Sequence, residues 1–177
     1  MEAFKLYYLK YYQRVYATCL LILKNYALAE EATQEAFLKA YTKLSTLKDQ
    51  EKFGAWVAAI ATKLSIDIYN QNKKLSLFKE EEVRQQYTEI WETPDNYEPC
   101  HKYIEKETNQ EIRKAIYGLT PVLKQMVILK YYWNLTDPEI AEMLNIPVGT
   151  VKSSLYRARK LLEKKLTVID RDYRKLI

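Results

Sequence analysis

The chain has 177 residues, of which 48% are hydrophobic and 29% charged, and its formal net charge is +5. This size accommodates one ordinary domain or two small ones, and the composition is typical of a globular protein. Three glycines and five prolines are too few for a fold built of many short strands and turns. With one histidine and two widely separated cysteines, there is no metal-ligand spacing and no disulfide framework, so we expect no metal site and a reducing, cytoplasmic compartment.

Several classes of protein are disfavoured by motifs that the sequence lacks. The N-terminus has no uncharged apolar segment of the kind found in signal peptides, and the apolar run from Ala17 to Leu23 is too short to span a bilayer. We therefore expect that the chain is not itself a membrane protein. There is no glycine-rich phosphate loop and no nucleophile–base arrangement, so we expect neither an enzyme nor a cofactor.

Charge is distributed unevenly along the chain. Residues 1–74 contain 11 basic and 7 acidic residues, residues 75–108 contain 4 and 9, and residues 109–177 contain 13 and 7. An ordinary solvated surface would explain this asymmetry by itself. The alternative is that two nucleic-acid-binding domains are joined by a linker that avoids phosphates.

Residues 1–74 are predicted to form a helical domain. In the first helix, apolar side chains recur at helical spacing up to a break at about Asn25: Leu6, Leu9, Tyr12, Tyr16, Cys19 and Leu23. A second helix is predicted over about 28–44, where alanines four residues apart form a seam that lets a neighbouring helix approach closely. After a short polar loop, a third helix is predicted over about 50–72.

The next segment, residues 75–107, is acidic, loses its helical periodicity and contains Pro94 and Pro99. Such a composition is typical of a flexible linker that is partly helical or disordered. Helical periodicity returns at about Thr108. One of the helices predicted there has its apolar face at Leu123, Val127 and Tyr131.

The segment from Thr136 to about Lys165 has the pattern of a helix-turn-helix. Thr136 and Glu139 have capping-box spacing at the start of a short helix, and a turn over 145–148 precedes a longer helix over about 149–166. A small residue in the first helix, an apolar residue in the turn and an apolar stripe on the second helix would hold the unit together. These residues are Ala141, Ile146, Val151, Leu155, Ala158 and Leu162.

The second helix of this unit presents a polar and basic face. Its N-terminal part suits the major groove of DNA, where short donors and lysine reach base edges, whereas the arginines suit phosphates. The alternative is an amphipathic helix whose basic face is merely solvated. The residues predicted to contact DNA are Val148, Gly149, Thr150, Lys152, Ser153, Tyr156, Arg157, Arg159 and Lys160.

At this motif, EIAEMLNIPVGTVKSSLYRARKLL resembles region 4 of the sigma-70 family of RNA polymerase sigma factors, in its extracytoplasmic-function (ECF) group. The upstream GLTPVLKQMVILKYYWNLT is similar to the preceding helices of that region. A helix-turn-helix also occurs in response regulators, so this half alone is moderately specific. In the other half, AEEATQEAFLKAY resembles region 2.2, and FGAWVAAIATKLSID resembles regions 2.3 and 2.4. Two motifs in the family's order are a strong signal.

The resemblance implies an all-α fold with two small helical domains joined by an acidic linker. Sigma region 2, a domain of three to four helices, would occupy residues 1–74, the linker residues 75–107, and sigma region 4, with the helix-turn-helix, residues 108–177. The implied function is to bind core polymerase, recognise the minus-35 and minus-10 promoter elements and direct transcription initiation.

The resemblance also implies roles for particular residues. The region 2.2 helix would bind the clamp helices of core polymerase through Glu31, Gln34, Glu35 and Lys39. The third helix and the loop before it would melt and read the minus-10 element through Thr46, Lys48, Phe53, Trp56, Lys63, Asp67, Asn70, Lys73 and Lys74. Of these, Trp56 is expected to lie mostly in the core. Lys63 and Asn70 depart from the family, which often has Asn and Arg there. The helix from Gly149 would read the minus-35 element.

The implied partners are core RNA polymerase, through its clamp helices and flap, promoter DNA, and an anti-sigma factor, which in this family is often membrane-bound. Two other functions remain open from the sequence. One is a stand-alone transcriptional regulator that uses only the helix-turn-helix. The other is a module of stacked helices that binds proteins and not DNA.

Overall fold

The computed structural model describes residues 2–47, 49–78 and 115–174. All regular structure among these residues is helical, which confirms the predicted all-α class. The helices fall into two compact units that divide between residues 103 and 104. Residues 79–107 of the predicted linker lie outside the described residues. In the described part of the chain, no helix is long and apolar enough to cross a membrane.

The first unit contains three α-helices, each of which packs against the other two: α1 (Glu2–Leu23), α2 (Tyr26–Thr42) and α3 (Phe53–Phe78). Two 3-10 turns, Leu44–Thr46 and Gln50–Lys52, connect α2 to α3. The ring of Phe4, near the start of α1, lies 5.0 Å from that of Tyr41 at the end of α2 and 5.9 Å from that of Phe53 at the start of α3, so this connection lies near the N-terminal end of α1.

The start of α2 and its close packing have clear causes in the sequence. The side-chain oxygen of Asn25 accepts a hydrogen bond from the backbone N–H of Leu28 at 2.9 Å, which caps the helix. The alanines of the predicted seam, Ala32, Ala36 and Ala40, are fully buried. The prediction that small side chains let the neighbouring helices approach α2 closely is therefore confirmed.

Phe53, the first residue of α3, is the centre of an aromatic cluster built largely by α1. The ring of Tyr7 stacks on it with 4.3 Å between centroids, and the ring of Phe4 meets it edge-on at 5.9 Å. The next residue is Gly54, where a Cβ would collide with the ring of Tyr11. Glycine is therefore needed at this position because α1 and α3 lie too close for a side chain.

The second unit contains α4 (Pro121–Val127), a π-helical turn (Ile128–Tyr132), α5 (Asp137–Leu144) and α6 (Val148–Arg174). Residues 115–117 are also helical. Helix α6 packs against both α4 and α5. The hydrophobic core of this unit includes Ile116, Leu119, Leu123, Val127, Ala158 and the partly buried Leu162.

The π-helical turn was not predicted from the sequence. In it, the N–H of Trp133 bonds to the carbonyl of Ile128 at 3.1 Å, five residues back rather than four. The wider turn shifts the helical register after α4. As a result Tyr131, predicted on the apolar face, is 55% exposed, while Trp133 is buried.

Candidate functional site

The helix-turn-helix begins with the capping box that the sequence predicts. The hydroxyl of Thr136 accepts a hydrogen bond from the backbone N–H of Glu139 at 3.4 Å, and the Glu139 carboxylate accepts one from the backbone N–H of Thr136 at 2.9 Å. The two bonds satisfy donors that the first turn of α5 would otherwise leave without partners. The start of α5 is therefore fixed locally by the sequence.

The turn between α5 and α6 depends on Asn145. Its backbone is left-handed, with φ 54° and ψ 53°, a conformation that asparagine tolerates better than most residues. The backbone N–H of Ile146 bonds to the carbonyl of Ala141 at 3.0 Å, and that of Thr150 to the carbonyl of Pro147 at 2.9 Å. These bonds close α5 and open α6 within a few residues.

Helix α6 has two sharply different faces. Val151, Leu155 and Ala158 are buried, as predicted, and Ser154, which the sequence did not place in the stripe, is buried beside them. Of the predicted DNA-contacting residues, Val148 is half-buried. The others are exposed: Gly149, Thr150, Lys152, Ser153, Tyr156, Arg157, Arg159 and Lys160.

Two contacts restrain side chains on the exposed face of α6. Arg157 donates from Nη2 to Ser154 Oγ at 3.3 Å, and Lys160 pairs with Glu163 at 3.0 Å. Gly149, by contrast, has open space around it, since a Cβ there would meet nothing within 4 Å. Packing within the chain therefore does not require glycine at this position.

A second exposed surface lies on α2. Glu31 and Gln34 are exposed, and Glu35 pairs with Lys39 at 2.7 Å. Leu38 and Tyr41, which sequence reasoning missed, continue this face at 63% and 50% exposure. Their spacing from Gln34, four and seven residues, was the signal that could have identified them. We call Glu31, Gln34, Glu35, Leu38, Lys39 and Tyr41 the α2 surface.

The connection from α2 to α3 carries the first of the residues predicted to read minus-10. Thr46 is exposed and donates to the carbonyl of Lys43 at 2.7 Å, whereas Lys48 lies outside the described residues. Phe53 has no exposed surface, so the prediction that it contacts a base is not supported. Trp56, predicted mostly in the core, is half-buried, with its ring 6.0 Å from that of Phe53.

Further along α3, the structure brings together the polar residues predicted to contact DNA. Lys63, Asp67, Asn70 and Lys74 are exposed, and their spacing of four, three and four residues places them in one row along the helix. Lys73 is exposed beside them. The row joins cationic groups to groups that accept or donate hydrogen bonds, which suits a polynucleotide strand.

Two family models together match most of this chain. The model of Sigma-70 region 2 matches residues 7–75, and that of Sigma-70, region 4 matches residues 109–162. The ECF RNA polymerase sigma factor SigW of Bacillus subtilis is 34% identical over 161 residues, which cover 88% of this chain and 84% of SigW. RNA polymerase sigma factor SigV of the same organism is 28% identical over 158 residues, covering 89% and 87%.

A solved structure shows the same fold. It is the sigma factor RpoE in complex with the anti-sigma factor NepR from Bartonella quintana. RpoE matches with a TM-score of 0.63 and 23% identity, over 95% of this chain and 99% of that one.

The chain belongs to the sigma-70 family and, within it, to the ECF group of RNA polymerase sigma factors. It directs promoter recognition by RNA polymerase. A stand-alone helix-turn-helix regulator is not favoured, because the match to region 2 includes most of α1, all of α2 and most of α3, which such a regulator would not need. A helical module without a DNA role is not favoured either, because region 4 also matches.

Proposed function

We propose that three exposed surfaces of this sigma factor each make a different contact during transcription initiation. The α2 surface binds the clamp helices of core polymerase. The Thr46 turn, Trp56 and the row on α3 hold the melted minus-10 strand. The N-terminal half of α6 enters the minus-35 major groove. We also propose that residues 75–107 link the domains 1–74 and 108–177.

The observation that carries the minus-35 assignment is the division of α6 into two faces. Val151 and Leu155 are buried against the rest of the second unit. Lys152 and Ser153 consequently point outwards at the N-terminal end of α6. Lysine and serine reach base edges, whereas Arg159 and Lys160, further along, are placed for phosphates. The turn at Asn145 brings α5 to the start of α6, as a helix-turn-helix requires.

The minus-10 assignment is supported by the charge and exposure of α3. Lys63, Asn70 and Lys74 present a cation, an amide and a second cation along one exposed row. Trp56 offers a half-buried ring on which an unstacked base could rest. Phe53 takes no part in direct contact, since it is fully buried among other rings, and its ring lies 6.0 Å from that of Trp56.

Run-off transcription with purified core polymerase tests the three assignments together. Lys152→Ala should weaken minus-35 binding by about 1–3 kcal/mol if it contacts a base, and Lys74→Ala should slow promoter opening without this loss. Glu31→Lys should reduce core binding and leave the binding of a minus-35 duplex by the full-length chain unchanged. Lys5→Ala, an exposed change on α1, is the matched control. Normal initiation by all three variants would refute the assignments.

We further propose that an anti-sigma factor covers these surfaces until the sigma factor is needed. The similar RpoE was solved with the anti-sigma factor NepR bound, which supports a partner of this class. If the proposal is correct, a candidate partner will inhibit run-off transcription and compete with core polymerase for the sigma factor. Inhibition that persists with a preformed sigma–core complex, without release of the sigma factor, would argue against masking.

A further inference from the structure

Glu30 on α2 accepts two hydrogen bonds at the same carboxylate oxygen. Tyr12, on α1, donates from its hydroxyl to Glu30 Oε1 at 2.6 Å. Gln34, one turn further along α2, donates from Nε2 to the same atom at 2.9 Å. Gln34 is exposed and belongs to the α2 surface, whereas Tyr12 and Glu30 are half-buried. The three side chains therefore form a chain of hydrogen bonds that leads from α1 to the α2 surface.

This chain of hydrogen bonds fixes which end of the Gln34 amide faces outwards. An ionised carboxylate only accepts hydrogen bonds, so Gln34 must turn its NH2 group, and not its oxygen, towards Glu30. Since the oxygen and nitrogen are bonded to the same carbon, Oε1 then lies on the side of the amide away from Glu30. An exposed glutamine without such a neighbour would offer either end to a partner.

We propose that Tyr12 and Glu30 orient Gln34 so that it meets core polymerase as a hydrogen-bond acceptor, and that the polymerase group opposite it is a donor such as an arginine or lysine side chain. The inference rests on the proposed role of the α2 surface. Gln34 makes the contact, and Tyr12 and Glu30 are positioning residues.

The surroundings of Tyr12 make it a firm anchor for this arrangement. Its ring lies 5.0 Å from that of Tyr8 and 6.3 Å from that of Phe37, which restricts its motion. Burial, and then the hydrogen bond to Glu30, raise the pKa of Tyr12 above its ordinary value. The hydroxyl therefore keeps its proton at neutral pH and remains a donor. Its short bond to a charged acceptor is of the stronger kind.

The charge of the neighbouring residues agrees with a donor on the polymerase. Glu31 lies three residues before Gln34 and is exposed. Glu35 is held at 2.7 Å by Lys39, so part of its charge is already balanced within the chain. Glu31 and the outward oxygen of Gln34 would thus present acceptors side by side, and a basic polymerase surface complements them.

Exchanging the side chains at positions 30 and 34 tests whether Gln34 meets polymerase as a hydrogen-bond acceptor or as a donor. Glu30→Gln alone lets position 30 offer either end of an amide, so the Gln34 amide is no longer held one way round, and core affinity should fall by about threefold. In Glu30→Gln with Gln34→Glu, position 30 donates to position 34, and an acceptor still faces outwards. Affinity should therefore return to near the wild-type value. A double variant that binds no better than Glu30→Gln alone would overturn the inference, because polymerase would then need the Gln34 N–H.

A double-mutant cycle tests the positioning role of Tyr12 separately. Tyr12→Phe keeps the ring but removes the donor, and it should lower core affinity by about threefold. Gln34→Ala should cost affinity in the wild type and little more in Tyr12→Phe. Tyr8→Phe, which removes a neighbouring hydroxyl, is the control and should not reduce the effect of Gln34→Ala. An equal cost of Gln34→Ala with and without the Tyr12 hydroxyl would overturn the positioning role.

Two single variants distinguish failure of this inference from failure of the proposed function. If Glu31→Lys weakens core binding but Gln34→Ala does not, the α2 surface stands and the inference about Gln34 is wrong. If neither variant weakens core binding, the α2 surface is not the polymerase contact, and the inference fails with it.

Discussion

Lys130 lies in the π-helical turn and pairs with Asp137, in the first turn of α5, at 2.7 Å between Nζ and Oδ1. The side chains are 32% and 23% exposed, so water screens the pair less than it would on an open surface. Asp137 also stands at the positive end of the α5 dipole, which favours its charge. The pair thus ties the irregular turn to the start of the helix-turn-helix.

Breaking this pair should destabilise the second unit. We expect Lys130→Met to lower its free energy of unfolding by about 1 kcal/mol, because Asp137 loses a charged hydrogen-bond partner. Urea unfolding measures the change. Lys160→Met is the matched control, since its pair with Glu163 is 59% and 65% exposed and should contribute little. If both variants lose the same stability, the Lys130 pair has no special role in holding the turn.

A second contact, between Ser154 and Arg157 on α6, should affect DNA binding rather than stability. Ser154 is 1% exposed and accepts a hydrogen bond from the Arg157 guanidinium, which restricts the exposed arginine. Ser154→Ala retains helix propensity but frees Arg157, so we expect minus-35 affinity to fall about threefold. Fluorescence anisotropy with a minus-35 duplex measures the fall. In an Arg157→Ala background, adding Ser154→Ala should not lower minus-35 affinity further. If Ser154→Ala lowers the affinity as much there as in the wild type, Ser154 does not act through Arg157.

The helix-turn-helix could be predicted closely because its determinants are local. Thr136 directly precedes α5 and Glu139 lies in its first turn, and together they cap that helix. Asn145 suits the left-handed turn by its own conformational preference. The stripe of Val151, Leu155 and Ala158 needs only the helical period. Each of these features is decided within a few residues.

The register of α1 could not be predicted in the same way. Leu6 and Leu9 share the helical spacing of the buried Cys19, but they are 68% and 65% exposed. The rings of Phe4, Tyr7 and Tyr11 contact Phe53 instead. Both sets of residues have helical spacing, and the choice between them depends on the partner surface that α3 offers. The larger aromatic area available for burial decides it.

Among the candidate contacts on α3, some could be predicted from the sequence and one could not. The resemblance implies the contacts from Lys63 to Lys74, and helical spacing then places them in one exposed row. The burial of Phe53 does not follow from spacing, because an aromatic residue at the start of a helix suits either a base or a core. Its enclosure requires rings from α1, about forty residues or more before it in the sequence, and pattern reasoning within one segment does not include them.

Stability at alkaline pH should depend on Tyr12. Burial raises its pKa above the ordinary 10.0, followed by the effect of Glu30. Because the folded-state pKa is the higher one, the resulting stabilisation is complete below about pH 10 and is lost as the pH rises further. We expect the unfolding free energy to fall less steeply above about pH 10 in Tyr12→Phe than in the wild type. Urea titrations across this range compare them. Parallel curves would contradict a raised pKa at Tyr12.

Two glycines should respond in opposite ways to the same substitution. Gly54→Ala places a methyl group against the Tyr11 ring between packed helices, and we expect it to destabilise the first unit by about 1–3 kcal/mol. Gly149→Ala meets nothing within 4 Å, and alanine suits a helix better, so stability should stay equal or rise by up to about 1 kcal/mol. Urea unfolding of the two variants measures both effects.

The same Gly149→Ala variant also tests the docking of α6. Gly149 is the second residue of that helix and is exposed, so a methyl group there would lie where the helix is proposed to enter the major groove. We expect minus-35 affinity to fall while core binding stays normal, which separates a DNA clash from misfolding. Because the free chain has room for this methyl group, any loss of affinity must arise in the complex. Unchanged affinity would place the N-terminus of α6 away from the DNA and would require a different docking of the basic face.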